Sequence, residues 1–299
     1  MTSRRRPPRR IPKSRAIVPL ALLAGLLAAG AAASPSARVL VVCSPGSPGT
    51  TGDAQPTMDA FARAASRISG LQEGSLEAVY HETAEGGFER LSQPDAAFAL
   101  VPPAFLARFG EELKLEPRLE AVSETGQPEV WSLVAHKGRL DSPAALAGWE
   151  VTGAPGFAPE FVRAVLFKGW GTLPGQARIT FTSRVLSALR RAAVGEPVAV
   201  LLDTAGTASL ATLPFRDDLV IAARSAPLPP AILCTVGKHP SPAPADALVK
   251  GLARLGESRE GSEVLKSLRL SRFAPVKREL MPGRLDLPDK NKKKAAAKP

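Results

Sequence analysis

A loop rich in hydroxyl groups and glycine follows the first apolar run of the chain, in the sequence VVCSPGSPGTTGD at residues 41–53. Its hydroxyl donors are Ser44, Ser47, Thr50 and Thr51. Its glycines let backbone N–H groups approach a bound molecule closely. A nucleotide-binding P-loop is excluded, because that motif needs a Gly-Lys-Ser/Thr sequence and no Lys or Arg occurs from residue 39 to residue 62. Two interpretations are left: the loop contacts another small ligand, or it is a turn stiffened by its two prolines.

Two further pairs of polar residues lie at strand ends, each at the point where a predicted strand is followed by a predicted helix. Tyr80 is predicted to face a ligand, and Thr83 follows it at the start of a helical pattern. A helix N-terminus favours anions, so Thr83 either contacts a ligand or caps the helix. Asp203 and Thr204 end a later strand. The carboxylate of Asp203 can accept hydrogen bonds from hydroxyl or ammonium groups of a ligand, or it can cap the helix that follows.

Catalytic chemistry has little support among the residue types. The chain has three histidines, and neither the H-E-x-x-H motif of metalloproteases nor the G-x-S-x-G motif of hydrolases occurs in it. His81 beside Glu82 resembles half of a catalytic pair, but a histidine at a strand end is more often solvated. The sequence therefore predicts no enzyme, no cofactor and no metal site.

Apolar runs and helical patterns that alternate along the chain must position these residues. VLVVC, LEAVYH and AAFALVP are typical strands, and the same alternation begins afresh after residue 142. The predicted fold class is α/β with two lobes, each a mostly parallel sheet flanked by helices, joined by two crossing strands near 128–131 and 225–230. Parallel strands end at one sheet edge, where open sheets bind ligands. Helices are predicted at 57–70, at 159–170 and, with Ser183 as N-cap, at 183–195.

The two ends of the chain differ in composition from its body. Residues 1–15 hold seven Lys or Arg and no acid, and an apolar run then leads to Ala31-Ala32-Ala33. This pattern is typical of a cleaved secretory signal peptide. Residues 1–33 are therefore predicted to be removed on export, with an uncleaved membrane anchor as the alternative. Residues 277–299 hold eight basic and three acidic residues and are predicted to be a basic disordered tail.

The basic charge of the protein belongs to these ends. The formal net charge is +11, to which the ends contribute +7 and +5, so residues 16–276 carry −1. Nucleic-acid binding needs a basic surface, and none is expected on the folded body. The apolar run near the N-terminus is shorter than the roughly 20 residues of a membrane helix. No stable membrane span is therefore expected after cleavage.

Four segments carry a resemblance to a known family of proteins. They are QPDAAFALVPPAFLARFG, HKGRLDSPAALAGWEVTGAPG, ALRRAAVGEPVAVLLDTAG and LARLGESREGSEVLKSLRLSRFAPV. In this order and spacing they resemble periplasmic substrate-binding proteins of ABC transporters, most closely the phosphate- and phosphonate-binding type. The resemblance runs from about Val39 to Val276 and implies the type II periplasmic-binding-protein fold. It places 38–127 and 229–276 in lobe one and 128–228 in lobe two, with the ligand in the cleft between them. It also implies that the loop at 44–51 faces this cleft and contacts the ligand.

One segment departs from the pattern of the resembled family. Phosphonate-binding proteins usually carry Ser-Thr-Ser-Gly at the start of a lobe-two helix, where hydroxyl and N–H groups bind the oxyanion. This chain has Gly156-Phe157-Ala158-Pro159 instead, which lacks the hydroxyls and, at Pro159, one N–H. Gly156 and Phe157 are still expected to face the cleft. We expect a ligand with an apolar or aromatic portion, or a degenerate cleft, rather than a site for phosphate.

Cys43 and Cys234 each end an apolar strand-like run. Export permits a disulfide between them. In the sheet order that the resemblance implies, another strand separates theirs. With strands about 4.8 Å apart, the Cα atoms would be about 10 Å apart, beyond the limit of about 7 Å for a disulfide. Two free thiols are therefore expected, with the disulfide as the alternative.

The predicted function is that of a periplasmic, monomeric solute-binding protein. The resemblance implies a small-molecule ligand and an ABC permease as partner. The alternative is a periplasmic sensory or interaction module that kept the fold without transport, which the missing Ser-Thr-Ser-Gly favours.

The export prediction can be tested on the protein isolated from the cell envelope. Because a basic region, a short apolar run and an A-x-A site follow one another, the mature chain should begin near Ser34. N-terminal sequencing of the envelope fraction measures this directly. An intact chain that starts at Met1 and stays in the cytoplasm would contradict it.

Overall fold

The computed structural model describes residues 38–47, 49–237 and 242–276, and all of them belong to one compact unit. The predicted signal peptide and the predicted basic tail lie outside the described residues. The described strands form two sheets with helices packed on them. This arrangement confirms the predicted two-lobed α/β fold.

The first sheet and its helices come from two separate stretches of the chain. The first stretch contains β1 (Arg38–Cys43), α1 (Thr51–Ile68), β2 (Leu76–His81), α2 (Ala84–Leu91), β3 (Ala96–Val101), α3 (Pro103–Phe109) and β4 (Leu115–Ser123). The second contains β10 (Ile232–Val236), α7 (Pro242–Ala253), α8 (Arg259–Ser267) and β11 (Leu270–Pro275).

The second sheet is continuous in sequence. It is built from β5 (Ser132–His136), β6 (Glu150–Gly153), α4 (Pro159–Phe161), β7 (Arg178–Phe181), α5 (Val185–Ala193), β8 (Val198–Leu202), α6 (Thr204–Ser209) and β9 (Leu219–Arg224). The predicted lobe boundaries at 127/128 and 228/229 fall in the segments that link the two sheets. They stay a prediction.

Most strands of each sheet run in one direction, as predicted, and a minority oppose them: β10 and β11 in the first sheet and β5 in the second. The strand order of the first sheet is β11-β4-β10-β3-β1-β2, and that of the second is β7-β6-β8-β5-β9. In the first sheet β1 is parallel to β2 and β3, but β10 runs antiparallel to both β3 and β4. In the second, β5 runs antiparallel to both β8 and β9. The chain leaves the first sheet after β4 and returns into β10, so these adjacent strands must point in opposite directions.

The two linking segments pair with each other. The N–H of Glu129 donates to the carbonyl of Leu228 at 2.7 Å, and the N–H of Leu228 donates to the carbonyl of Glu129 at 2.8 Å. The N–H of Ser225 donates to the carbonyl of Trp131 at 2.8 Å. Two antiparallel segments thus run side by side between the sheets, as predicted.

The first sheet is buried on both faces. Leu40 and Val42 pack in one apolar cluster with residues of α1, α7 and α8, while Val39 and Val41 pack in another with residues of α2 and α3. Because successive side chains of a strand point to opposite faces, a strand covered on both sides reads as a continuous apolar run. This explains the sequence VLVVC.

Helix α1 begins six residues before the predicted start at residue 57. Thr50 is its N-cap. The Thr50 hydroxyl accepts a hydrogen bond from the N–H of Asp53, and the Asp53 carboxylate accepts one from the N–H of Thr50. This reciprocal capping box fixes the helix start ahead of Pro56, which the sequence pattern had placed outside the helix. The loop after β1 therefore ends at Thr50, six residues earlier than the helix prediction implied.

Two other helix predictions need correction. The helix predicted at 183–195 has Arg184 rather than Ser183 as its N-cap, because the hydroxyl of Thr182 accepts from the N–H of Arg184 at 3.0 Å and delays the helix start. The helix predicted at 159–170 is α4 followed by one π-helical turn, Val162–Leu166. The guanidinium of Arg163 donates to the carbonyls of Pro174 and Ala177, which holds the following residues as an irregular loop.

Both cysteines are buried free thiols. Strand β3 lies between β1 and β10, as the predicted order required. Burial raises the pKa of the Cys43 thiol to about 12, with the nearby carboxylates of Glu85 and Glu82 acting in the same direction. Burial also raises the pKa of Cys234.

A thiol titration tests this placement. Since buried thiols with raised pKa values hold almost no thiolate near neutral pH, the native protein should not react with Ellman's reagent at pH 8. Unfolded in guanidinium without reductant, it should release two equivalents, and Cys234→Ala should release one. A wild-type value of zero after unfolding would show a disulfide and overturn the strand order.

Candidate ligand-binding site

The carboxyl edge of the first sheet collects several of the predicted site residues. Strands β1 to β4 end at this edge, and β10 and β11 begin there because they run antiparallel to β4. The loop after β1, the Tyr80 region of β2, the segment before β10 and the turn before β11 therefore meet, although they are up to about 230 residues apart in sequence.

A cavity of about 380 Å³ lies at this edge. Hydroxyl groups come from Ser44, Ser47, Thr57, Tyr80 and Ser267. The apolar lining includes Val42, Met58, Leu100, Pro102, Pro230 and Leu270. Its volume is within the range of small-molecule sites, roughly 300–1,000 Å³. Its lining is mainly apolar with a few polar groups, which is also typical of such sites. Three predicted site residues, Ser44, Ser47 and Tyr80, line it.

Tyr80 gives the cavity a neutral polar wall. Its ring is 93% buried, and its hydroxyl donates to the carbonyl of Ser44 in a long hydrogen bond of 3.4 Å. Burial raises the pKa of the phenol, and nearby Cys43 and Glu82 raise it further. The hydroxyls of Ser44 and Ser47 are hydrogen-bonded to each other at 2.7 Å. These groups offer hydrogen bonds without a negative charge.

Thr50 and Thr51 lie at the N-terminus of α1 beside two carboxylates. The Thr50 hydroxyl donates to Asp53 at 2.8 Å, and the Thr51 hydroxyl donates to Glu82 at 2.5 Å. The bond from Thr51 lowers the pKa of Glu82, which keeps that carboxyl ionised. An oxyanion placed at this helix N-terminus would meet both negative charges, so the dipole of α1 is already compensated.

Thr83 and Asp203 act as helix caps. The Thr83 hydroxyl accepts from the N–H of Gly86 at 3.1 Å, and the Asp203 carboxylate accepts from the N–H of Gly206 at 2.6 Å. Both are outside the lining of the cavity. Capping is thus observed for each, and a contact with ligand stays a prediction.

Thr204 ties the second sheet to the first linking segment. Its N–H donates to the carboxylate of Glu129 at 2.5 Å, and its hydroxyl accepts from the N–H of Val130 at 3.0 Å. This residue therefore anchors the linking segment. Its predicted ligand contact is untested.

Gly156 and Phe157 are buried where the two lobes touch. A Cβ added at Gly156 would lie 1.9 Å from the carbonyl oxygen of Thr180, so only glycine fits there. The carbonyl of Phe157 accepts a hydrogen bond from the guanidinium of Arg108, on α3. Neither residue lines the cavity. The more accessible aromatic side chain of this region is Phe181, which is 43% exposed.

Sequence reasoning predicted Ser44, Ser47 and Tyr80 among the lining residues and missed the others, of which Thr57, Met58 and Arg269 are examples. Thr57 and Met58 were read only as part of an amphipathic helix. Arg269 precedes β11 and has a left-handed backbone with φ of 57°. A signal for it was present, because the family pattern that the C-terminal segment resembles, "lgi..Fvp", has glycine where this chain has Arg269.

Neither a metal cluster nor a membrane helix is found in the described ranges. No group of three or more His, Cys, Asp or Glu side chains there could hold a metal ion. No helix among those residues has the length and apolar character that crossing a membrane requires.

Solved structures with the same architecture are numerous. The binding-protein component of an ABC phosphonate transporter from Pseudomonas aeruginosa has a TM-score of 0.57 and 17% identity, over 82% of this chain and 83% of that one. A Xanthomonas citri protein solved with ATP has a TM-score of 0.60 and 17% identity, over 84% of this chain and 94% of that one. PhnD1 of Prochlorococcus marinus, in complex with methylphosphonate, has a TM-score of 0.56 and 10% identity, over 87% of this chain and 97% of that one.

At these identities the likenesses establish the fold alone. No protein-family model matches the sequence, and no curated protein sequence matches it. The chain has the two-lobed fold of periplasmic binding proteins, as its resemblance to the phosphonate-binding type had implied.

The packing of Gly156 can be tested by substitution. Gly156→Ala should destabilise the protein by about 3 kcal/mol or more, because its methyl group overlaps the backbone at Thr180. Gly175→Ala is the matched control, since a Cβ there meets nothing within 4 Å, and its effect should stay within about 1 kcal/mol. Chemical denaturation measures both values. Equal stabilities for the two variants would contradict the packing.

Proposed function

We propose that this chain is an exported solute-binding protein that takes up a small ligand at the carboxyl edge of its first sheet and delivers it to an ABC permease. The observation that carries the proposal is the cavity of about 380 Å³ at this edge, lined by Ser44, Ser47 and Tyr80. The fold supports it, since neighbours of the same architecture include a component of a phosphonate transporter.

The linking segments support a binding cycle with lobe movement. Two adjacent segments joined by a few backbone hydrogen bonds, among them those of Glu129 and Leu228, are the kind of connection about which lobes rotate. The cavity is bounded on one side by Pro230 and Ala231, at the end of the second linking segment. A ligand held there touches the hinge, and hinge geometry can therefore report its presence.

We infer that the N-terminus of α1 and the segment at Gly156 and Phe157 do not form a site for a compact phosphate or phosphonate. The N-terminus of α1 carries the carboxylates of Asp53 and Glu82, and the segment at Gly156 and Phe157 is buried packing without hydroxyls. A dianion would meet negative charge on one lobe and no side-chain donor at that segment of the other. The neighbour in complex with methylphosphonate shares the fold of this chain, and the ligand that we propose for this chain differs from methylphosphonate.

A sensory or interaction module is the second candidate, and direct contacts between the lobes favour it. The guanidinium of Arg108 reaches the carbonyl of Phe157, and a Cβ at Gly46 would lie 2.9 Å from that of Ala154. Protein groups alone can thus hold the lobes together. Such a chain would signal through its closed form and would need no permease.

A thermal-shift screen of the mature protein tests ligand binding. Sugars, amino acids, amines, carboxylates and phosphonates are screened to millimolar concentration, and at least one class should raise the melting temperature. A ligand present at a concentration of about 100 times its Kd raises the free energy of unfolding by about 2.7 kcal/mol. Ser47→Phe, which fills the cavity, should abolish the shift, and Ser187→Phe on the exposed face of α5 should not. No shift from any class, or a shift that survives Ser47→Phe, would contradict the proposal.

Calorimetry tests the exclusion of phosphate. Inorganic phosphate and methylphosphonate should bind more weakly than about 1 mM, because Asp53 and Glu82 repel them. The double variant Asp53→Asn, Glu82→Gln should bind both more tightly. Micromolar binding to the wild type would refute the electrostatic argument and leave the fold assignment intact.

Crosslinking in the cell envelope separates the two candidate functions. Recovery of a permease with its ATPase supports transport, whereas recovery of a membrane-bound signalling receptor supports the sensory module.

A further inference from the structure

We propose that Arg269 is the counter-charge for an anionic group of the ligand, and that the ligand is a small organic monocarboxylate with an apolar body. This inference rests on the proposed function, because it concerns the same cavity. It adds the chemical class of the ligand and the residue that selects it.

The composition of the cavity lining gives the first argument. Among the described residues that line the cavity, Arg269 alone carries a formal charge. The rest are hydroxyl-bearing or apolar, with Met58, Leu100 and Leu270 as large apolar members. One guanidinium pairs with one carboxylate through two parallel hydrogen bonds. The apolar surface suits a hydrocarbon body, and the hydroxyls of Ser44 and Ser47 can donate to a second oxygen.

The backbone of Arg269 gives the second argument. Helix α8 ends at Ser267, and Arg269 follows in the left-handed region with φ of 57°. Its N–H donates to the carbonyl of Lys266 at 2.8 Å, and its carbonyl accepts from the N–H of Glu124 at 2.9 Å. Glycine is the usual residue at this position after a helix. Glycine would adopt this backbone at lower cost, and at Arg269 the strained backbone coincides with a place in the cavity lining.

The state of the guanidinium gives the third argument. Arg254 and Arg259, in the same C-terminal region, pair with Glu257 and Glu263. Within the part of the chain that the structure describes, the guanidinium of Arg269 makes no ion pair and no side-chain hydrogen bond. It is therefore available to a ligand at the mouth of the cavity.

Titration calorimetry with matched probes tests the proposal. The probes are butyrate, hexanoate, benzoate and 3-phenylpropionate, each with its neutral amide. The variants are Arg269→Gly, Arg269→Gln and Arg269→Lys. Lys114→Gly is the matched control, since Lys114 is the other described non-glycine residue with a positive φ, at 52°, and it does not line the cavity.

At least one carboxylate should bind the wild type about tenfold more tightly than its amide does, as a charge-assisted pair requires. Arg269→Gly and Arg269→Gln should both remove that difference, Arg269→Lys should keep part of it, and Lys114→Gly should keep all of it. Arg269→Gly should melt at or above the wild-type temperature, because glycine relieves the left-handed backbone. Loss of binding without loss of stability separates a ligand-binding role from a structural one.

Three results would overturn the inference: no carboxylate binds, the amide binds as tightly as its carboxylate, or Arg269→Gly and Arg269→Gln bind carboxylate as the wild type does. If an amine or sugar then still binds and Ser47→Phe abolishes that binding, the solute-binding function stands while the carboxylate class fails. If no compound of any class binds, both proposals fail.

Discussion

The chain passes twice between its two sheets, and this constraint fixes the direction of the strands beside each passage. Because the outward segment near Glu129 and the return segment near Leu228 lie side by side and antiparallel, β10 must oppose β4 and β5 must oppose β9. The carboxyl ends of β1 to β4 and the starts of β10 and β11 are thereby brought to one edge. The return passage completes the cavity, since it brings Pro230, Ala231 and the residues from Ser267 to Leu270 beside the ends of β1 to β3.

The sequence predicted the alternation of strands and helices, the two lobes and the crossing segments, because these depend on local periodicity and turn residues. It did not predict that β10 and β11 oppose the other strands of the first sheet, because β10 enters that sheet only after about 100 residues of the second lobe. Helix starts failed for a related reason. At Thr50 and Thr182, a side chain that bonds to the backbone two or three residues away decided where the helix begins, and apolar periodicity carries no record of such bonds.

In the candidate site too, local sequence predicted some features and could not predict others. Hydroxyl-bearing and acidic residues after strands were predicted to contact a ligand, but Thr83 and Asp203 use their side chains to cap helices, and Thr51 donates to Glu82. Such residues serve helix ends as well as ligands, and local sequence does not distinguish the two uses. Ser44, Ser47 and Tyr80 line the cavity because their positions just beyond or within strand ends face the sheet edge. Arg269 was missed because its place at that edge depends on the antiparallel direction of β11.

The same architecture can carry different polar and charged groups at its carboxyl edge. The sheets, the passages and the edge are fixed by buried apolar packing, which is indifferent to what is bound. The charges near this edge come from few groups: the carboxylates of Asp53 and Glu82 lie beside the N-terminus of α1, and Arg269 is the charged residue of the cavity lining. Exchanging those few groups would change which ligand the edge prefers, and the core that holds the edge in place would not change.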